Sequence, residues 1–236
     1  MKRATINSFA FKNMSFATDS GNKLFTDTTY QFSMNEIIWL KGGSESGKSA
    51  IAKMLCGLVL PTSGDYLVNG IKVQEMTFED FMPYRCNIGY SFDLGGLINN
   101  RDIMSNMLLA NEYHVYDFGS PDELAARMLE YMKVFDLTRV VYEMPSAIIG
   151  GLRKAACVAR AFVHEPECLI LDDPTTGLKL ETKNKLRELI LKKKNNGSIK
   201  HVIVASNDSE FMQALNPIIV EIENGKIREV KGGHAA

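Results

Sequence analysis

The chain lacks an excess of charge of either sign. Its 236 residues include 27 basic and 28 acidic side chains, which gives a formal net charge of -1 at pH 7. A protein that binds nucleic acid mainly through the phosphates needs a basic surface, and this composition provides no basic field of that kind. We therefore expect no nucleic acid among its partners.

Long apolar runs are missing as well. A membrane-spanning helix needs about 20 consecutive apolar residues, and no segment approaches that length. The first residues include Met1, Lys2 and Arg3 but no apolar stretch typical of a secretory leader. We expect a cytoplasmic protein, and any association with a membrane must come from a partner.

Cysteine and histidine are scarce. The four cysteines lie far apart without C-x-x-C spacing, and the four histidines do not cluster, so no zinc site is indicated. The pattern is typical of buried free thiols in a reducing compartment. Internal repeats, low-complexity tracts and flexible linkers are also absent. The length favours one large α/β domain, alone or with a subdomain.

The sequence does contain a complete phosphate-binding motif. Residues 42–49 fit G-x-x-x-x-G-K-[ST] at every fixed position, between an apolar strand pattern at 37–40 and a helical pattern at 51–55. In such a loop, backbone N–H groups and the helix N-terminus bind phosphate oxygens. The motif predicts a nucleoside triphosphate site formed by Gly42, Gly43, Ser44, Glu45, Ser46, Gly47, Lys48 and Ser49, with Lys48 on the terminal phosphates and Ser49 on Mg²⁺.

A second apolar strand pattern ends in a carboxylate. Leu169, Ile170 and Leu171 precede Asp172. A strand of this kind beside a P-loop places its carboxylate where Mg²⁺ is held. We therefore predict that Asp172 is a ligand of the metal.

Strand and helix patterns alternate along the chain, which predicts a mainly parallel sheet. An N-terminal antiparallel sheet and a helical insertion complete the α/β architecture. Ser120, Pro121, Asp122 and Glu123 form a strong helix start. The expected strands cover 5–16, 29–32, 37–40, 65–68, 87–92, 168–171, 202–204 and two segments around Asn224 and Gly225. The expected helices cover 51–55, a stretch from Ser120 past Phe135, 155–162, 180–194 and a short segment near Phe211.

These motifs resemble the ATP-binding subunits of ABC transporters, and the resemblance runs nearly end to end. Residues 172–178 resemble that family's Walker B and D-loop segment, and 145–154 resemble its signature stretch. Residues 87–92 are similar to the strand before the Q-loop, and 202–208 to the strand before the switch loop. The run 95–100, with Pro145, is most similar to lipid-handling members of the Mla type.

The resemblance implies a P-loop NTPase fold and a set of partners. It implies one ABC-type domain over residues 1–236, with a RecA-like core at 1–92 and 156–236 and a helical subdomain at 93–155. Two such subunits, as a homodimer or a heterodimer, would bind ATP and Mg²⁺ between the P-loop of one and the signature of the other. The signature residues here are Ile149, Gly150 and Gly151. Transmembrane permease subunits would sit on the helical subdomain.

The chain departs from the family at the groups that hydrolyse ATP. The family's glutamate after the Walker B aspartate is Asp173, and its switch histidine is Asn207. We treat these two as degenerate catalytic positions. The Q-loop glutamine is Asp93, an acid that could approach Mg²⁺, and the signature serine is Ile149. Three further departures lie near the nucleotide. Thr18 stands where many relatives place an aromatic ring against adenine, and Ala50 replaces a hydroxyl residue that often touches the α-phosphate. In the D-loop, Lys179 and Leu180 replace the usual Asp-Pro.

The retained P-loop and Asp172, with the altered catalytic positions, predict an ATP-binding transporter subunit with weak hydrolysis. Phospholipid transport is the finer assignment. The alternative is a non-hydrolysing adaptor or clamp on a membrane or envelope complex. A third reading is an ordinary transporter ATPase in which Asp173 and Asp93 reposition. Arg153 and Lys154, after the signature, are expected to be surface charges of a helix.

Overall fold

The computed structural model describes residues 2–113 and 120–230. These residues contain ten strands in two sheets and eight α-helices. The strands are β1 (Phe9–Ala17), β2 (Lys23–Gln31), β3 (Ile37–Lys41), β4 (Ser63–Val68), β5 (Ile71–Lys72), β6 (Ile88–Ser91), β7 (Cys168–Asp172), β8 (His201–Ala205), β9 (Ile218–Glu223) and β10 (Lys226–Glu229). The helices are α1 (Lys48–Leu55), α2 (Phe78–Arg85), α3 (Ile103–Met107), α4 (Leu109–Tyr113), α5 (Pro121–Val134), α6 (Gly150–Val163), α7 (Leu180–Asn195) and α8 (Ser209–Gln213).

The larger sheet is mostly parallel. Its strand order is β10-β9-β3-β8-β7-β6, and only the pairing of β10 with β9 is antiparallel. Every residue of β7 and β8 is buried, as expected for parallel strands that are covered on both faces. Ala205 on β8 pairs with Leu40 on β3 and with Asp172 on β7. The register therefore brings the carboxyl ends of these three strands to one edge.

The smaller sheet is antiparallel, with the order β2-β1-β4-β5. It packs with α1 against one face of the larger sheet, in a core that includes Phe9, Phe11 and Leu55. The other face is covered by α5, α6 and α7, in a core around Trp39 and Phe162. The predicted α/β fold with an N-terminal antiparallel sheet is confirmed.

The segment between β6 and β7 is helical, as expected for the insertion. Ser120 and Glu123 form a capping box at the start of α5, and Met128, Met132 and Phe135 are buried. Helix α6 begins at Gly150, five residues before the predicted start. Glycine is a poor helix former, so Gly150 and Gly151 did not indicate a helix in the sequence. The division into subdomains at 92/93 and 155/156 stays a prediction, and α6 continues through its second boundary.

Two further expectations concern the whole chain. All four cysteines are free and buried, which confirms the prediction of free thiols. Within the described ranges, none of the helices has the length and apolar character needed to cross a membrane.

Candidate nucleotide-binding site

The loop between β3 and α1 has a backbone that requires glycine at two positions. Gly47, the N-cap of α1, has φ 101°, and a Cβ there would lie 2.6 Å from the ring of Phe25. A Cβ on Gly42 would lie 2.5 Å from the Ser46 hydroxyl. Glu45 has φ 62° and is exposed. The loop thus wraps tightly around its own N–H groups, the arrangement that binds phosphate.

Lys48 lies inside this loop. Its side chain is buried, with 8% exposure, and its ammonium donates hydrogen bonds of 2.7 Å to the carbonyls of Gly42 and Gly43. Burial lowers the pKa of Lys48, whereas the charges of Asp173 and Asp172 raise it. A cation held here is available to a phosphate that enters the loop.

Ser49 and Asp172 are brought together as predicted. The Ser49 hydroxyl donates a 3.0 Å hydrogen bond to Asp172 Oδ1, while Asp172 Oδ2 is buried and has no partner in the described part of the chain. Burial raises the pKa of Asp172 to about 6, and Asp93 and Asp173 add to the shift. An unpartnered carboxylate oxygen beside a hydroxyl fits Mg²⁺, which uses one or two carboxylates together with phosphate oxygens.

The Ser46 hydroxyl is a second unpartnered group. Its oxygen is buried and has no hydrogen bond within the described residues. A buried hydroxyl of this kind is costly unless a ligand or water satisfies it. The loop therefore offers a free donor as well as its backbone N–H groups, which fits a phosphate oxygen.

Asp173 and Asn207 meet beyond the ends of β7 and β8. Asp173 has φ 43°, its N–H donates to the Ala205 carbonyl at 2.8 Å, and its Oδ1 accepts a 3.3 Å hydrogen bond from the Asn207 main-chain N–H. Trp39 Nε1 donates to the Ser206 carbonyl at 2.8 Å and fixes the neighbouring segment. The Asp173 carboxylate is thus directed to the 206–207 backbone.

Lys154 corrects one expectation. Arg153 is exposed, as predicted, but Lys154 is buried, with 7% exposure. Its ammonium donates to the carbonyls of Phe92, Asp93 and Asp172 at 3.0, 2.5 and 3.2 Å. Burial lowers the pKa of Lys154, and Asp93 raises it.

The sequence carried a signal for this burial. Positions 157, 158 and 161 follow Lys154 at the spacing of one helix face, and all three are apolar. A lysine on an apolar face of a helix indicates a buried partner. The burial of Lys154 was not predicted because charged residues near a helix start generally face solvent.

Asp93 lies beside Lys154, with Oδ1 3.6 Å from the ammonium. Within the described residues, no group of three or more acidic, His or Cys side chains is placed to hold a metal ion. A role for Asp93 as a ligand of Mg²⁺ therefore depends on water or phosphate oxygens as the other ligands.

The signature residues lie at the start of α6. Ile149 is the N-cap and is 68% exposed, without a side-chain cap, and the first turn contains no acidic residue. A Cβ on Gly151 would lie 2.3 Å from the Gly177 carbonyl, so the segment after β7 packs directly on this turn. Nothing lies within 4 Å of a Cβ on Gly150. The open N-terminus of this helix favours an anion.

The family model for the ABC transporter matches residues 25–176, more than half of the chain. This chain belongs to the ABC transporter family. The ABC transporter match includes the P-loop and the segment that ends with Asp172 and Asp173.

Individual relatives agree with this assignment. A putative ABC transporter ATP-binding protein of Methanosarcina acetivorans is 27% identical, over 88% of this chain and 76% of its own. The lipoprotein-releasing system ATP-binding protein LolD of Buchnera aphidicola subsp. Acyrthosiphon pisum is 29% identical, over 86% of this chain and 88% of LolD. The methionine import ATP-binding protein MetN of Clostridium acetobutylicum is 28% identical over 89% of this chain. The matched region covers 64% of the length of MetN.

Solved structures agree on the fold. The ATP-binding cassette MJ0796, in a dimeric post-hydrolysis state bound to ADP and Pi, superposes with a TM-score of 0.83. It is 24% identical and is matched over 94% of this chain and 98% of its own. The P-loop NTPase fold of an ABC ATP-binding domain is therefore shown.

Proposed function

We propose that this chain binds ATP with Mg²⁺ as the ATP-binding subunit of an ABC transporter and hydrolyses it slowly. The observation that carries the proposal is the pair formed by Ser49 and Asp172, 3.0 Å apart beside the P-loop, with one buried carboxylate oxygen unpartnered. The family assignment gives independent support for nucleotide binding.

Each retained group has a defined task in this site. The N–H groups of 42–49 and the start of α1 hold the phosphates, and Lys48 exchanges its two carbonyl partners for phosphate oxygens. Ser49 and Asp172 hold Mg²⁺. The metal, when bound, neutralises phosphate charge. The groups proposed to hold the terminal phosphates and the metal are thus all retained in this chain.

Slow hydrolysis follows from the groups that activate water. Asp173 is one methylene shorter than the family's glutamate, and its Oδ1 accepts from the Asn207 N–H. Help from a general base is worth about 10²–10⁴-fold and depends first on geometry. Asn207 cannot carry a positive charge toward the γ-phosphate. Both positions therefore weaken the stabilisation of the transition state.

Pairing with a second ATP-binding subunit completes the site. Dimeric structures of MJ0796 are the precedent in this fold. Ile149, Gly150 and Gly151 would face the partner's nucleotide, where the glycines and the helix N-terminus still attract phosphate. Ile149 cannot hydrogen-bond the γ-phosphate. A homodimer would therefore combine two weak sites, and a heterodimer would have one weakened component at each site.

Transmembrane partner subunits dock, in this proposal, near a pocket of 260 Å³ between α1, β6, α4 and α6. The pocket is lined mainly by apolar side chains together with Arg85 and Arg160. Burial lowers the pKa of Arg160. An acidic side chain on an apolar segment of a permease subunit is the chemistry that would satisfy this pocket.

The transported substrate is proposed to be a lipid. The support is the run 95–100 and Pro145, which resemble Mla-type phospholipid transporters, together with the relative LolD of a lipoprotein-releasing system. Mass spectrometry of lipids retained by the complex purified with its permease would test this. The absence of any enriched phospholipid would contradict the lipid assignment.

The alternative is an adaptor that clamps a membrane or envelope complex and never hydrolyses ATP. It is favoured by the same changes at Asp173, Asn207 and Ile149. Purification of the tagged chain from its native membranes separates the two, because a transporter subunit brings multispanning partners and an adaptor brings other proteins.

Calorimetric titration with ATP and a single-turnover hydrolysis assay, each with and without Mg²⁺, test the main proposal. Lys48→Ala is the matched variant that removes the cation of the cradle. We expect wild-type binding that strengthens with Mg²⁺, a loss of affinity in Lys48→Ala, and turnover far below that of an intact relative assayed alongside. Fast turnover would contradict slow hydrolysis, and an absence of binding would contradict the site itself.

A further inference from the structure

One buried cation has no part in the function described so far. Lys154 lies in the second turn of α6, and its three ammonium donors meet three main-chain carbonyls just after β6 and at the end of β7. The Asp93 carboxylate lies 3.6 Å away and is partly exposed. Lys154 therefore ties the signature helix to the segment that carries Asp93 and to Asp172.

A neutral donor could make hydrogen bonds to carbonyls, so the charge of Lys154 needs a separate reason. Burying an ammonium is unfavourable unless negative charge lies nearby. Three carboxylates supply that charge, because Asp93, Asp172 and Asp173 all interact electrostatically with Lys154. Among the described residues, Lys48 is the other buried lysine that interacts electrostatically with Asp172 and Asp173.

We infer that Lys154 is a positioning and charge-balancing residue of the nucleotide site. It fixes the ends of β6 and β7 against α6, and its charge offsets Asp93, Asp172 and Asp173 so that a triphosphate can enter the P-loop. It contacts neither the nucleotide nor the metal. The inference rests on the proposed ATP site and adds to it a residue outside the P-loop and the Walker B strand.

Loss of the Lys154 charge and loss of structure have different effects on nucleotide binding. Removing a cation beside three carboxylates weakens the binding of metal-free ATP, which is highly anionic, and strengthens the binding of a divalent cation to the same site. The ratio of the ATP dissociation constant without Mg²⁺ to that with Mg²⁺ therefore rises. A loss of structure lowers both affinities and leaves the ratio unchanged or smaller.

The test is calorimetric titration of Lys154→Gln with ATP, once in excess Mg²⁺ and once in excess EDTA. Glutamine keeps an amide donor for the carbonyls and removes the charge. We expect the ratio of dissociation constants to rise about tenfold. Arg153→Gln is the matched control, because Arg153 is the exposed neighbour whose Nε donates to the Ile148 carbonyl, and its ratio should stay at the wild-type value.

Lys154→Arg keeps the charge and should retain the wild-type ratio. An unchanged ratio in Lys154→Gln would overturn the inference, as would an equal fall of both affinities. Thermal unfolding of each variant shows which molecules are folded, and Lys154→Met provides a second neutral variant if Lys154→Gln is unfolded. A wild-type chain that binds no ATP would instead contradict the proposed function.

Discussion

Asp172 is an acid whose burial opposes its ionisation. Its pKa rises from 3.8 to about 6 in the folded chain, so between these values the folded state keeps a proton that the unfolded state has lost. The free chain therefore loses stability as pH rises through this window. Asp172→Asn removes the effect, and its stability relative to wild type should increase from pH 4 to pH 7 by up to about 3 kcal/mol.

Urea unfolding of both proteins across this pH range measures the difference. Asp19→Asn, at an exposed position, is the control with which the pH dependence of Asp172→Asn is compared. A constant difference for Asp172→Asn would contradict the assigned burial of the carboxyl group.

Gly47 has a backbone that only glycine adopts easily, with φ 101° and the Phe25 ring where a Cβ would lie. Gly47→Ala should reduce the free energy of unfolding by about 2 kcal/mol or more, because strain and a clash add. Gly43→Ala is the matched variant, since a Cβ there meets nothing within 4 Å. Its unfolding free energy should stay within about 0.5 kcal/mol of wild type. Equal effects of the two changes in urea unfolding would contradict the loop geometry.

Asp173 and Asn207 limit hydrolysis in this account. The double change Asp173→Glu with Asn207→His restores a longer carboxylate and a side chain that can be protonated. The single-turnover rate should rise about tenfold or more, because both groups act on the transition state. Ile149→Ser alone should raise it less, since it supplies only a hydrogen bond to the partner's site. A rate that stays at the wild-type value after the double change would place the limitation elsewhere.

At this scale, the sequence predicted the residues that belong to local motifs. Lys48, Ser49 and Asp172 were identified because phosphate and metal chemistry require fixed spacings, and the structure brings Ser49 to Asp172. Lys154 was missed because the general expectation that a charged residue near a helix start faces solvent was preferred to the apolar helix face on which it lies. Its partners could not be predicted, because they are main-chain carbonyls from segments 61 and 18 residues away in sequence.

Among the elements, α3 depends on one buried side chain. Asn106 is fully buried; its Oδ1 accepts from the Ile98 N–H at 2.7 Å, and its Nδ2 donates to the carbonyls of Ile98, Arg101 and Asp102. Asn106→Ala removes all of these side-chain hydrogen bonds and leaves the partly buried Ile98 N–H without its partner, so it should lower the unfolding free energy by about 2–4 kcal/mol. Asn100→Ala, at an exposed position, should change it by less than about 0.5 kcal/mol in the same urea titration. A neutral Asn106→Ala would contradict this role.

Element prediction succeeded where capping and periodicity agreed. Helix α5 was located from its capping residues, and its apolar stripe is buried. Helix α2 was missed because it buries only Phe81 and contains Pro83, although its capping box of Thr77 and Asp80 is visible in the sequence. Strand β2 begins at Lys23, six residues before the predicted start, because its first half does not alternate: Leu24 and Phe25 are followed by consecutive polar residues at 26–28.

For the whole molecule, the sequence predicted the fold class but not the strand order. The alternation of strands and helices indicated a parallel sheet, whereas the order β10-β9-β3-β8-β7-β6 results from contacts distant in sequence. This order places β3, β8 and β7 side by side, so that the P-loop, Asn207 and Asp172 follow adjacent strand ends. The site is a consequence of topology as much as of motif.

We propose above that this molecule binds ATP and cleaves it slowly. The most direct measurement is the identity of the nucleotide on the purified chain after incubation with ATP and Mg²⁺, rapid removal of free nucleotide, and chromatography of what stays bound. The account predicts bound ATP that persists over many minutes in wild type and is absent in Lys48→Ala. Bound ADP in place of ATP within the first minutes would contradict slow hydrolysis, and a protein free of nucleotide would contradict phosphate binding by the P-loop.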